Sequence, residues 1–290
     1  MIYKGGIIKK YILIWRLKMD FIEIIKIIIL GIVEGVTEWL PISSTGHMLL
    51  VDEFIQLNMT PEFKTMFFVV IQLGAILAVV VLFWSRMWPF KMEDKKVKID
   101  KNIFDLWLKV IVAIIPGTIA TLLLDDYVEA HFTTPTVIAS ALIFYGILFI
   151  IIENRKKEPR IHTIEQITYK DAFIIGMFQI LSIVPGTSRS GSTIVGGLLI
   201  GISRVAVAEF TFYVAVPVMF GLSGLKLLDF GFAFTQPELI TLLLGMTVAF
   251  VVSIFVIKFL LDYIKKNDFK VFGWYRIILG IIVLAYFKLF

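Results

Sequence analysis

Cysteine is absent from the 290-residue chain, and charge is scarce at 18% of residues. The first absence excludes disulfides, zinc–thiolate sites and cysteine nucleophiles. The second excludes an ordinary soluble domain, in which roughly a quarter of residues are charged. Only three histidines are present, so imidazole chemistry has few candidates. The first residues are basic and patchily apolar, without the unbroken apolar core and small-residue cleavage site of a signal peptide. What the chain has in quantity is apolar sequence: 59% hydrophobic residues, with a mean hydropathy of +0.91. The runs Met66–Trp84, Leu106–Leu124, Val137–Ile152, Leu239–Leu261 and Ile277–Phe290 approach or reach the roughly 20 residues that a bilayer requires. A net charge of +5 does not indicate nucleic acid as a partner, because the basic residues are split among short loops. The lipid bilayer is the partner that the composition demands.

The loop cations order the spans. Arg86–Lys109 holds seven Lys or Arg, Arg155–Lys170 five and Lys265–Arg276 four, whereas Asp125–Thr134 and Asp229–Glu238 hold none. Cytoplasmic loops are the positive ones, which predicts the first three inside and the last two outside. Six segments then cross in a consistent order, over about 63–84, 105–124, 135–153, 210–228, 238–261 and 273–290. Two further apolar stretches, about 21–58 and 171–203, are each broken in the middle by Pro, Gly and Ser. Re-entrant hairpins are expected there, since non-helical backbone at membrane depth is tolerated where it lines a protected cavity. Two full crossings of the second stretch would also keep the parity. A first hairpin entering from outside puts the basic amino terminus outside, against the charge rule, unless the chain begins at Met19. Residues 1–18 are therefore expected to be an extension of a single integral membrane domain over 1–290.

The broken stretches resemble each other. PISSTGH at 41–47 can be laid on PGTSRSG at 185–191, and an aromatic-led helix follows each, at Phe67 and Phe210. The fold class expected is an all-α polytopic membrane protein, an inverted-topology repeat with six transmembrane helices and two re-entrant helical hairpins. The halves run over about 19–153 and 171–290. In such repeats the discontinuous helices usually mark the binding site, near the midplane.

Chemistry concentrates in those breaks. Glu34 and Glu38 lie four apart and share a helical face. With Arg189 they make three charges at depth, at a cost of about 8–10 kcal/mol uncompensated. Ser43, Ser44 and Thr45 can cap a helix running to about Leu57. Thr187, Ser188 and Ser190 can do the same for one running to about Ile202. Two facing helix N-termini with Arg189 between them would cradle a diphosphate, since free N–H groups attract phosphate and guanidinium binds it bidentately. His47 lies three residues after Ser44, which places both on one helical face and makes it the candidate base. His131 and His162 fall in loops and read as solvated. Gln72, inside VVIQLGAIL, either lines the site or bonds across helices.

EGVTEWLPISSTGH and PGTSRSGSTI resemble the two signature segments of the bacterial undecaprenyl-diphosphate phosphatase family, the bacitracin-resistance type. FFVVIQLGAILAV at 67–79 and AEFTFYVAVP at 208–217 extend the resemblance over essentially the whole chain after Met19. It implies hydrolysis of a polyprenyl diphosphate lipid to the monophosphate and inorganic phosphate, in a multi-pass protein of the bacterial inner (cytoplasmic) membrane. The product is the lipid carrier of cell-wall synthesis. It also implies a homodimer and a divalent cation, magnesium or calcium, which Glu34 and Glu38 would help hold. The catalytic residues implied are Glu34, Glu38, Ser44, His47 and Arg189, with Ser188 at the site. Ser44 is the expected nucleophile and His47 its base, with direct attack by His47 as the alternative. Substrate contacts are expected from Ser188, Thr45, Ser43, Ser190, Thr187 and Gln72. The competing readings are a transporter built on the same inverted repeat, which needs no nucleophile–base–Arg set, and the type-2 phosphatidic acid phosphatase class. The latter needs a second histidine after its final Arg motif, and none follows Arg189.

Overall fold

The structure is a computed structural model that describes residues 19–93, 96–155 and 157–289. The expected extension over 1–18 lies outside the described residues, as do Lys95 and Lys156 of the loop cations. The chain is helical throughout its apolar stretches. Most helices begin where a polar side chain can take up an orphan backbone N–H, α4 excepted. Asp20 caps α1 (Phe21–Thr37), Ser43 caps α2 (Ser44–Phe54), and Thr60 with Pro61 starts α3 (Pro61–Val70). A break at Ile71 separates α3 from α4 (Gln72–Met87). A two-stranded hairpin follows, β1 (Phe90–Glu93) and β2 (Lys96–Ile99), which with an isolated Ile161–Ile202 bridge departs from an all-α chain. Asp100 then caps α5 (Lys101–Phe132), and Thr134 with Pro135 starts α6 (Pro135–Asn154). Thr168 and Asp171 form a reciprocal capping box on α7 (Tyr169–Gln179), and Ser188 caps α8 (Arg189–Leu199). Ser203 caps α9 (Arg204–Phe230), Thr235 and Glu238 box α10 (Gln236–Ile264), and α11 (Lys270–Leu289) ends the described chain.

Among the described residues, six helices are long and apolar enough to cross a membrane: Pro61–Met87, Lys101–Leu124, Pro135–Asn154, Arg204–Phe230, Gln236–Ile264 and Lys270–Lys288. They coincide with the six expected spans to within a few residues, except that Arg204–Phe230 begins six residues early. The protein is a multi-pass membrane protein. The expected outer loop Asp125–Thr134 needs correction, because α5 runs on to Phe132. Loss of apolarity ends the membrane-crossing part of that helix but not its backbone hydrogen bonding. The helices α1, α2, α7 and α8 are shorter than the spans, at 17, 11, 11 and 11 residues.

Packing follows an exchange pattern. The helix α1 packs on α10 and α7 packs on α5, while α6 packs on α11 and α9 on α3 and α4. Small residues permit the closest approaches, as they do between membrane helices generally. A Cβ on Gly146 would sit 2.6 Å from the Gly273 carbonyl, and one on Gly273 would sit 2.8 Å from that of Gly146. The α6–α11 pair is thus in backbone contact.

Candidate active site

Two connections interrupt the short helices, residues 38–43 between α1 and α2 and residues 180–188 between α7 and α8. Each ends on a serine with positive φ, Ser43 at 76° and Ser188 at 74°. They are the only non-glycine residues in that region among the described residues. Such backbone costs about 1–3 kcal/mol and persists only where surrounding contacts over-determine it. In both, the serine Oγ accepts from the N–H of a glycine three residues on: Gly46 at 3.4 Å and Gly191 at 3.1 Å. The caps therefore pair Ser43 with Ser188 and Gly46 with Gly191. That register is one residue away from the alignment of the two prolines. It sets Ser44 beside Arg189 as equivalent first helical residues, and Glu34 beside Gln179, each nine residues before its cap serine.

The two connections touch. Glu38, the C-cap of α1, turns its carboxylate to both halves. Ser44 Oγ donates to Glu38 Oε2 at 2.5 Å, and Arg189 Nη2 donates to Glu38 Oε1 at 2.5 Å. Ser190 Oγ donates to the carbonyls of Glu38 and Leu40 at 3.4 and 3.5 Å. Arg189 also reaches the Thr211 carbonyl and Met219 Sδ, both at 3.4 Å. All of this is buried, with the Glu38 and Arg189 side chains 7% and 14% exposed. One carboxylate thus aligns a hydroxyl with a guanidinium from the other connection. A serine bonded to a carboxylate has its general base in place, and a guanidinium beside it supplies the charge that a phosphoryl group needs.

The expected Ser44–His47 pairing is corrected. His47 lies buried one turn along α2, but its ring nitrogens face elsewhere. Nδ1 bonds the Ser43 carbonyl at 2.7 Å, and Nε2 bonds Tyr275 Oη at 2.7 Å. A carbonyl can only accept, so Nδ1 carries the proton and Nε2 keeps its lone pair, taking the Tyr275 hydroxyl proton as a hydrogen bond. The helical spacing is met, but the ring turns back to its own cap rather than towards Ser44.

The other expected residues divide. Glu34 is buried, and its Oε1 has no hydrogen-bond partner among the described residues. Ser188 joins the cluster through Ser190, 3.1 Å between hydroxyls. Ser43 spends its hydroxyl on the Gly46 N–H, and Thr187 spends its own on the Leu181 and Val184 carbonyls, closing its own loop. Thr45 is exposed. Gln72 Nε2 donates to the Phe68 carbonyl at 3.5 Å, one turn back, and joins no bond of the cluster. His131 and His162 are exposed, as expected.

Two residues on α11 were missed from sequence. Arg276 is fully buried and donates to the carbonyls of Pro41 at 2.9 Å and of Gly186 and Thr187 at 2.8 Å. Its guanidinium also lies 5.2 Å from the Tyr145 ring centroid. One side chain therefore holds both connections. Tyr275, its neighbour, holds His47. Counted as a loop cation, Arg276 passed for a topology signal. The signal that could have found it is its place inside an apolar helix, where an ionisable residue is functional by default.

For a divalent cation, the described residues contain no group of three or more His, Asp or Glu that would form a cage. Magnesium characteristically takes one or two carboxylates plus substrate phosphate oxygens. The buried, unpartnered Glu34 Oε1, one helical turn from Glu38, fits such a shared site.

A family profile described as "Bacitracin resistance protein BacA" matches residues 27–282. A protein named undecaprenyl-diphosphatase from Enterococcus faecalis is 66% identical over 269 residues, covering 92% of this chain and 98% of that protein. Proteins of the same name from Lachnoclostridium phytofermentans and Desulfitobacterium hafniense are each 61% identical over 273 residues, covering 93% of this chain and 99% and 98% of theirs.

Proposed function

The chain belongs to the bacitracin resistance protein BacA family, and we propose that it hydrolyses undecaprenyl diphosphate at the cluster of Glu38, Ser44 and Arg189. It is an undecaprenyl-diphosphatase, releasing inorganic phosphate and returning undecaprenyl phosphate to cell-wall synthesis. Bacitracin resistance follows from that activity. The observation that carries the site is the single Glu38 carboxylate hydrogen-bonded to both Ser44 and Arg189.

Ser44 Oγ attacks the terminal phosphorus as its proton passes to Glu38 Oε2. The bond to the bridging oxygen breaks, and undecaprenyl phosphate leaves. Arg189 exchanges Glu38 for the terminal phosphate oxygens and stabilises their developing charge. The N–H groups at the start of α8, with Ser188 and Ser190, add donors on that side. Glu38 hands that proton to the departing undecaprenyl phosphate. Water then attacks the phosphoserine phosphorus, giving a proton to Glu38, which returns it to Ser44 Oγ as the P–Oγ bond breaks and inorganic phosphate leaves. Glu34 and Glu38 would hold a divalent cation, which when bound neutralises diphosphate charge. A second reading rests on His47: its lone pair lies on Nε2, the atom that a direct nucleophile would use.

The exchange of packing partners supports an inverted repeat: α1 takes α10, the counterpart of the α5 that α7 takes. The lengths of α2, α7 and α8 support re-entrant hairpins, since 11 residues reach about 16 Å and a hydrocarbon core is about 30 Å thick. The loop cations support residence in the cytoplasmic membrane with the basic loops inside. Family membership supports a homodimer.

Phosphate release from farnesyl diphosphate in detergent tests the assignment. Ser44→Ala, Glu38→Ala and Arg189→Ala should each lose most of the turnover while remaining folded. Near wild-type turnover by Glu38→Ala would refute the cluster as the site. A trapped phosphoenzyme stable to acid assigns Ser44, and one stable only to alkali assigns His47.

A further inference from the structure

The strands β1 and β2 sit between two membrane spans and take no part in the site. Their pairing sets Phe90 opposite Ile99 and Met92 opposite Val97. Strand side chains alternate between faces, so these four share one face and Lys96 and Lys98 share the other. On the apolar face, Met92 is 79% and Val97 65% exposed, with Phe90 and Ile99 about half exposed. An isolated two-stranded hairpin is marginally stable at best in water and needs packing on its apolar face. Among the described residues, this face stays largely exposed.

The apolar face is not isolated. The Phe90 ring meets Trp88 edge-on at 5.4 Å, and Trp88 stacks on Trp84 at 4.9 Å. Trp84 lies in the span Pro61–Met87, and both indoles are about half exposed. An unbroken apolar strip thus runs from the lipid-facing side of a span, through two tryptophans, onto the hairpin. Tryptophan at the end of a span is a marker of the membrane–water interface. The hairpin is also fixed relative to both spans. The Asp100 N–H donates to the Pro89 carbonyl at 2.7 Å across its base, and Trp107 Nε1 donates to the Met87 carbonyl at 2.7 Å.

We propose that the β1–β2 hairpin is an interfacial lipid-binding element, with its apolar face in the headgroup–acyl boundary and its lysines on anionic phospholipid headgroups. Amphipathic elements of this composition lie in the plane of the interface, and each lysine near an anionic surface favours it roughly fivefold. Lipid is favoured over a protein partner because the apolar strip continues the surface that lipid already covers. The exposed Lys96 and Lys98 stand on the other face of the hairpin, within side-chain reach of headgroups beside it.

The absence of cysteine makes the test direct. Single cysteines at Met92, Val97, Lys96 and Lys98 are labelled with an environment-sensitive fluorophore. Each protein is reconstituted in nanodiscs of phosphatidylcholine, or of phosphatidylcholine with phosphatidylglycerol. Labels at 92 and 97 should emit to the blue of those at 96 and 98, and should be quenched by lipids brominated on the upper acyl chain. The anionic lipid should deepen the difference, and the Lys96→Glu/Lys98→Glu double variant should lose that deepening while keeping its turnover. Water-like, unquenched emission at 92 and 97 in both lipids would overturn the proposal. Identical behaviour with and without phosphatidylglycerol would overturn its anionic part.

Discussion

Replacing Arg276 by Met should separate assembly of the site from its chemistry. Arg276 touches no substrate atom in the proposed mechanism, yet it donates to the carbonyls of Pro41, Gly186 and Thr187. Leaving a buried acceptor unpaired costs about 1–3 kcal/mol, so three set an upper bound of roughly 9 kcal/mol. Methionine fills the aliphatic volume and removes a buried cation that has no carboxylate partner among the described ion pairs. That relief offsets part of the loss. A net destabilisation of about 3 kcal/mol is expected, together with release of both connections from their fixed separation. Misplacement by about 1 Å costs on the order of 100-fold in rate. Arg276→Met should therefore lose about two orders of magnitude in kcat, with KM for farnesyl diphosphate changed much less. Arg276→Lys keeps the charge but not the fork, and should fall between Met and wild type. Phosphate release gives the kinetic pair and thermal unfolding in detergent gives the stability. Arg276→Met with wild-type kcat and unfolding temperature would refute the staple.

Tyr275→Phe removes one hydrogen bond to His47, worth about 1 kcal/mol, and should slow turnover by several-fold without a change in expression. A larger loss in Tyr275→Phe than in Ser44→Ala would favour His47 as nucleophile. At the strained caps, Ser188→Gly should be more stable than Ser188→Ala by about 1–3 kcal/mol, because glycine accepts a φ of 74° that alanine does not; equal unfolding temperatures would contradict the strain. Gly146→Leu should abolish the folded protein in detergent, its Cβ meeting the Gly273 carbonyl at 2.6 Å. Gly221→Ala, with nothing within 4 Å, should be silent by size-exclusion chromatography.

The spans were legible because apolar length is a one-dimensional property, and the six helices fall where the runs do. The two breaks were legible for the converse reason: Ser, Thr and Arg are out of place inside apolar sequence. Four things were not legible. The register of the halves was set on Pro41 and Pro185, whereas the Ser–x–x–Gly hydrogen bond defines the caps and moves the match by one. The partner of Ser44 was sought along its own helix, at His47, whereas the bonded carboxylate is Glu38, before the break. Arg276 could not be told from a loop cation by counting charges, since its burial depends on α11 packing against α6. The hairpin was hidden likewise: its four apolar residues alternate with lysines that were read as a topology signal.

The position of Arg276 on the last helix has a consequence for biosynthesis. A ribosome delivers Glu38, Ser44 and Arg189 well before α11, so every group of the proposed mechanism is in the membrane while the clasp is still untranslated. Until the final helix inserts, the carbonyls of Pro41, Gly186 and Thr187 lack the Arg276 donor, and the two connections meet only through the contacts of Glu38 and Leu40 with Arg189 and Ser190. Chains released early by stalled translation would thus carry the catalytic groups without the activity, and would present unsatisfied backbone inside the bilayer for membrane proteases to recognise.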